Sequence, residues 1–168
     1  SRGDGGRVFE TVDGNDRRDA LLAGGGPRVV GVKEPGWEID PDELSKAFNN
    51  RTRAIVINTP TNPTGKVFTR AELQMIADLC QKWDVLAIAD EIYEHMVYDG
   101  VEHQSVARFP ELAARSVVVS SFGTTYPVTG RKVGYAAGPA ARVPGFRKVH
   151  QFNVFTLHTP IQHGPAPS

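Results

Sequence analysis

Five side chains, spread over seventy-odd positions, offer complementary chemistry. Asn62 lies in the loop Thr59–Gly65, TPTNPTG, directly after an apolar run. Asp90 ends the next apolar run, and Tyr93 follows it. Ser121 ends a third run, Val117-Val118-Val119, and Lys132 stands beyond the polar loop that follows. An amide, a carboxylate, a phenol, a hydroxyl and a cation, each just past a strand end, suit an aromatic ligand with a ring nitrogen, a ring oxygen and a phosphate. A carboxylate opposite a pyridine nitrogen keeps that nitrogen protonated, and the ring then accepts electrons. The amide and phenol can bind the ring oxygen, and serine and lysine can bind the phosphate.

Each group also has a plainer reading. Asn before Pro is common in turns, and Asp90-Glu91 could cap a helix. Tyr93 could simply pack, Ser120 and Ser121 could be ordinary strand-end residues, and Lys132 could be solvated. The joint spacing favours a shared site. Simpler motifs fail. Gly65-Lys66 resembles the end of a phosphate-binding P-loop, but Pro60 and Val67 stand where Gly and Ser/Thr are needed. There is no HExxH to announce a metal, no GxSxG and no strand-linked GxGxxG. Cys80 falls on an apolar helix face and reads as core rather than nucleophile.

The elements that position these groups follow from periodicity. Arg28 to Val32, Ala54 to Asn58, Val85 to Ala89, Val117 to Val119 and Val133 to Ala137 read as strands. Asp40-Pro41-Asp42-Glu43 and Thr69-Arg70-Ala71-Glu72 read as capping boxes that start helices, the second running to about Lys82. Asp13 to Ala23, Glu111 to Arg115 and Phe146 to Phe152 read as shorter helical pieces, and Thr159-Pro160 as a loop. Strands alternating with helices predict an α/β fold with a mostly parallel sheet and flanking helices. The link from Val119 to Val133 is too short for a helical crossover, so the strand near 133–137 is expected to be antiparallel. In such sheets ligands bind beyond the strand ends.

The chain has 168 residues and zero formal net charge, with 40% hydrophobic and 23% charged residues. This suits one globular domain and gives no electrostatic footprint for nucleic acid and no polybasic membrane segment. The apolar runs are of strand length, too short to span a bilayer. SRGDGGRVFE lacks an apolar signal core, and one cysteine permits no internal disulfide, so a cytoplasmic setting is expected.

NTPTNPTGKVFTRAEL, ADEIYEHMVYDG and SSFG with VTG and KVGY, in that order, resemble the class I/II aminotransferases of fold type I, nearest the methionine and kynurenine–glutamine branch. The resemblance is dense from about Arg51 to Pro139. It implies pyridoxal 5'-phosphate as cofactor, an amino acid and a 2-oxo acid as small-molecule partners, and a homodimer. It implies that Asn62 and Tyr93 bind the ring oxygen, Asp90 the ring nitrogen, and Ser121 and Lys132 the phosphate. The family's Ser-x-Gly-Lys supplies the Schiff-base lysine; here the run is Ser121-Phe122-Gly123-Thr124. Pro127 and Arg131 stand where this branch carries His and Trp. Residues 28–142 are thus expected to be a partial cofactor-binding large domain, 1–27 an irregular remnant and 143–168 a truncated C-terminal part. Without the lysine, an N-terminal phosphate loop or a carboxylate-clamping arginine, the chain is expected to be weak or inactive. The alternative is a non-catalytic cofactor-binding or interaction module that retains the fold.

Overall fold

A computed structural model describes the backbone of residues 5–9 and all of residues 26–163. The expected helix at 13–23 lies outside the described residues. In chain order the first elements are β1 (Gly5–Phe9), β2 (Arg28–Val30), β3 (Val32–Lys33), β4 (Glu38–Ile39) and α1 (Pro41–Ala47). β5 (Thr52–Asn58), α2 (Arg70–Trp83) and β6 (Leu86–Asp90) follow. After α3 (Pro110–Ala113) come β7 (Ser116–Ser121), α4 (Phe122–Thr125) and β8 (Gly134–Ala137). The last described elements are α5 (Val143–Asn153) and α6 (Thr159–His163).

Six strands form one sheet in the order β2-β1-β5-β6-β7-β8. All neighbours pair parallel except β7 and β8, which are antiparallel as the short connection requires. β1 lies within the stretch expected to be irregular, and it sits between β2 and β5. The strand expected over 28–32 divides at Gly31. Arg28–Val30 joins the main sheet, while Val32 and Lys33 pair antiparallel with Ile39 and Glu38 in a small second sheet. The reversal between them passes through Trp37 at φ 54°. Thr159-Pro160, expected to be a loop, opens a helix; a proline in the first turn forfeits no intrahelical hydrogen bond.

The core lies between one sheet face and the helices. Ile55, Ile57, Ala87 and Ala89 alternate inward and meet Leu73, Ile76, Ala77 and Cys80 of α2, all fully buried. α2 starts with a complete capping box, in which Thr69 Oγ1 accepts from Glu72 N–H and the Glu72 carboxylate accepts from Thr69 N–H. At α1 the Asp40 carboxylate accepts from the amides of Asp42 (2.9 Å) and Glu43 (3.3 Å), and also holds Lys33 Nζ at 2.8 Å. On the other sheet face, α5 stands over Ile88, Val117 and Val119 across an apolar cleft of about 470 Å³.

Burial pushes the Cys80 thiol up to about 12, against a smaller pull downward from Arg115. The thiolate is the reactive form. Native protein is therefore expected to resist iodoacetamide near neutral pH and to be alkylated once unfolded. Peptide mass mapping checks this, and rapid native labelling of Cys80 would contradict its packing.

Candidate active site at the sheet edge

Parallel register brings the candidate groups to one edge. Asn58, the last residue of β5, lies opposite Asp90, the last of β6, and Asp90 lies opposite Val119 of β7. Past the strand ends, Thr59 N–H donates to Asp90 O (3.0 Å) and Glu91 N–H to Val119 O (2.9 Å). The chain leaves these three strands on the same side of the sheet, as a parallel sheet requires.

Asn58 organises the first loop. Its Nδ2 donates to Asp90 O (3.1 Å), and its Oδ1 accepts from Asn62 N–H (2.8 Å). Thr61 Oγ1 donates to Asn58 O (2.7 Å), while Thr61 N–H reaches Lys66 O and Gly65 N–H reaches Thr61 O. Asn62 is thereby held by side-chain and backbone bonds as well as by the prolines beside it. Its Nδ2 donates to Tyr93 Oη at 3.1 Å, so residues 31 positions apart meet directly. Pro60, Asn62, Pro63, Tyr93, Met96 and Tyr98 line an open cavity of about 280 Å³.

Asp90 is half-buried, and its Oδ1 accepts from Ile92 N–H (3.2 Å). No helix begins there; the chain turns, with Glu94 N–H donating to Glu91 O. The helix-cap reading of Asp90-Glu91 is therefore replaced by a side-chain-closed turn. Ser121 Oγ accepts from Gly123 N–H (3.1 Å) and donates to Val133 O (3.2 Å). Lys132, next to Val133, is exposed at φ 52°, and its ammonium has no ion-pair partner among the described residues. Ser121 and Lys132 thus frame the two ends of one loop. Thr124 sits half-buried in α4, one turn past Ser121. Two glycines let the loop close. A Cβ on Gly134 would come within 2.7 Å of Ser120 O, and one on Gly123 within 3.1 Å of Thr129 Cα.

Asn58 was missed by sequence reasoning because a strand-end Asn carries no motif of its own. Glu91, Glu94, Ser120 and Tyr135 were likewise not singled out as functional. The acidic pair at 90–91 and the serine pair at 120–121 were the available signals, but which member faces the edge depends on strand pleat.

The family model for aminotransferase class I and II matches residues 15–164. The chain belongs to this family. It is 47% identical over 130 residues to kynurenine–oxoglutarate transaminase 3 of Bos taurus, a match covering 77% of this chain and 29% of that protein. It is 45% identical over 154 residues to human kynurenine–oxoglutarate transaminase 1, covering 84% and 36%. The solved structure of YbdL from Escherichia coli, described as having a methionine aminotransferase function, superposes with a TM-score of 0.92 at 35% identity, covering 96% of this chain and 43% of that one. The chain therefore spans about a third of the length of these curated relatives. The expected α/β fold and the expected branch both agree with these relatives, and aminotransferases of this family depend on pyridoxal phosphate. No helix among the described residues is long and apolar enough to cross a membrane.

Proposed function

We propose that this chain is the cofactor-binding part of a pyridoxal-phosphate aminotransferase, that it takes the cofactor without a covalent bond, and that its own amino-transfer activity is weak or absent. The observation that carries the reading is the Asn62–Tyr93 contact at the edge where Asp90 and Ser121 also end. When bound, pyridoxal phosphate supplies an aldehyde and an electron-accepting ring. Because Tyr93 Oη accepts from Asn62, its own proton is left to donate to the ring oxygen. The Asp90 carboxylate would hold a proton on the ring nitrogen. Lys132, whose ammonium has no ion-pair partner among the described residues, would bring a positive charge to the phosphate, and Ser121 could redirect its hydroxyl from Val133 O to the same group. Position 124 offers a hydroxyl, which neither forms a Schiff base nor shuttles a proton well near neutral pH. The residues present thus fit the cofactor's ring and phosphate but not its covalent attachment. The proposal extends to an amino acid and a 2-oxo acid as small-molecule partners, to a homodimer and to a cytoplasmic setting.

Absorbance titration with pyridoxal phosphate, followed by borohydride reduction and peptide mapping, tests it. Saturable binding is expected, with nothing fixed to the protein. Asp90→Asn keeps an acceptor for Ile92 N–H but removes the charge, and should weaken binding about 10- to 100-fold, the usual scale for a lost charge-assisted bond. A fixed adduct on Lys132 or any other lysine would overturn the non-covalent claim. Absence of saturable binding would sink the cofactor reading and leave the second one, a non-catalytic interaction module. Thr124 favours that reading too, as do the exposed Phe152 and Phe155 near the C-terminal helices.

A further inference from the structure

Two carboxylates bracket Tyr93, and both are anchored. Glu91 is only 1% exposed. Its Oε1 accepts from Val106 N–H (2.9 Å) and Ser105 Oγ (3.2 Å), and its Oε2 lies 3.0 Å from His103 Nε2. Glu94 Oε1 accepts from Ser120 Oγ (3.0 Å) and Tyr135 Oη (3.3 Å). Glu91 therefore ties the start of the irregular segment to its return at 103–106. Glu94 ties the same turn to β7 and β8, the strands that carry the Ser121 loop.

Burying a carboxylate is costly, and hydrogen bonds recover that cost only when geometry is good. A hydrophobic residue at 91 would seal the core with less to satisfy. What a carboxylate adds is direction: it fixes backbone and side chains that approach from other parts of the chain. The residue held between these anchors is the one whose phenol meets Asn62. Glu91, Glu94 and His103 each place a ligand-type atom within 4.8 Å of the others. Both Glu91 oxygens and Glu94 Oε1 already have protein partners, and these bonds are what make the cluster a clamp.

We propose that Glu91 and Glu94 are positioning residues, a double clamp that fixes the Tyr93 phenol against Asn62 and couples that pair to the Ser121 loop. The clamp itself stands on the geometry alone; its effect on cofactor affinity rests on the function proposed above.

The protein contains four tyrosines, so 3-fluorotyrosine labelling gives a simple fluorine NMR spectrum, with Tyr93 assigned by its loss in Tyr93→Phe. Glu94→Ala should shift or broaden the Tyr93 line and leave Tyr126 in place. Glu91→Ala risks unfolding; Glu91→Gln keeps an acceptor for Val106 and Ser105 and should move the line less. A Tyr93 line unmoved in folded Glu94→Ala and Glu91→Gln proteins would overturn the clamp. In the second arm, Glu94→Ala should weaken pyridoxal phosphate binding about 3- to 10-fold, the scale of one hydrogen bond, and add nothing in a Tyr93→Phe background. Equal losses in both backgrounds would show that Glu94 does not act through Tyr93. If the unsubstituted chain binds no cofactor, the proposed function falls, and the fluorine spectra alone still decide the clamp.

Discussion

Thr124→Lys is expected to give this chain a borohydride-fixable link to pyridoxal phosphate where the unsubstituted chain gives none. α4 carries position 124 one helical turn beyond Ser121, whose hydroxyl caps that turn. The short helix begins at the strand end and closes on Thr129 through Gly123, where Thr129 Oγ1 donates to Gly123 O at 2.8 Å. The backbone at 124 is thus fixed relative to the edge that holds Asp90 and Tyr93. Position 124 is half-buried and is not among the residues of the apolar core. An amine held beside the cofactor's aldehyde gains from proximity, and affinity should rise by on the order of a hundredfold. Mass spectrometry after reduction should map a stoichiometric adduct to position 124. Adding Asp90→Asn should weaken this capture, because the link forms only on a seated ring. A T124K protein that folds, binds the cofactor reversibly and still forms no adduct would show that position 124 does not face the aldehyde.

Glu72→Ala is expected to be among the most destabilising single substitutions outside the apolar core, at about 3–5 kcal/mol, because it strands a buried charge. Lys66 Nζ donates to Glu72 Oε1 at 2.7 Å, and the two side chains are only 6% and 11% exposed. The other oxygen completes the cap of α2 through Thr69 N–H at 2.8 Å. Lys66 also ends the Asn62 loop, since Thr61 N–H bonds to its carbonyl at 2.8 Å. One carboxylate therefore anchors a helix start and a site loop together. Lys66→Met loses the ion pair and the ammonium over the Phe68 ring but should cost less, since Glu72 keeps its Thr69 N–H and Oγ1 donors and no unpaired lysine is left buried. Chemical denaturation of both variants checks the asymmetry; equal losses would mean that desolvation of the lysine is not the cause.

The same pair gives a pH dependence. Burial raises the Glu72 carboxyl, but the bonds from Lys66 and Thr69 outweigh it and hold the group below its ordinary 4.5. A carboxylate with a depressed folded value adds stability above the unfolded value, and that stability is lost as pH falls through the folded value. Unfolding midpoints should therefore drop on acidification below about 4.5, and the drop should shrink in Glu72→Gln.

Periodicity and capping were sufficient to read most of the fold from the sequence. β5, β6 and β7 are short β-branched or alanine-rich runs separated by helices, and a parallel sheet is the arrangement that buries such runs on both faces. Boundaries shifted by a residue or two, as at Leu86–Asp90, because the last polar residue of a strand still pairs. Gly31 and Trp37 were not legible as a break and a reversal, since the positive φ at Trp37 is set by the second sheet rather than by its side chain.

The site divides in the same way. Residue types and order alone determined the chemistry offered at Asn62, Asp90, Tyr93, Ser121 and Lys132, and the hydroxyl at Thr124 in place of an amine. Those are covalent facts that no fold can alter. Tertiary structure alone decided that Asn62 and Tyr93 touch, that Asn58 links both loops, and that Glu91 and Glu94 anchor the turn between them. These contacts join residues up to 41 positions apart. They depend on sheet register and pleat, and a one-residue slip would turn the strand residues among them, Asn58, Ser120 and Tyr135, to the opposite face.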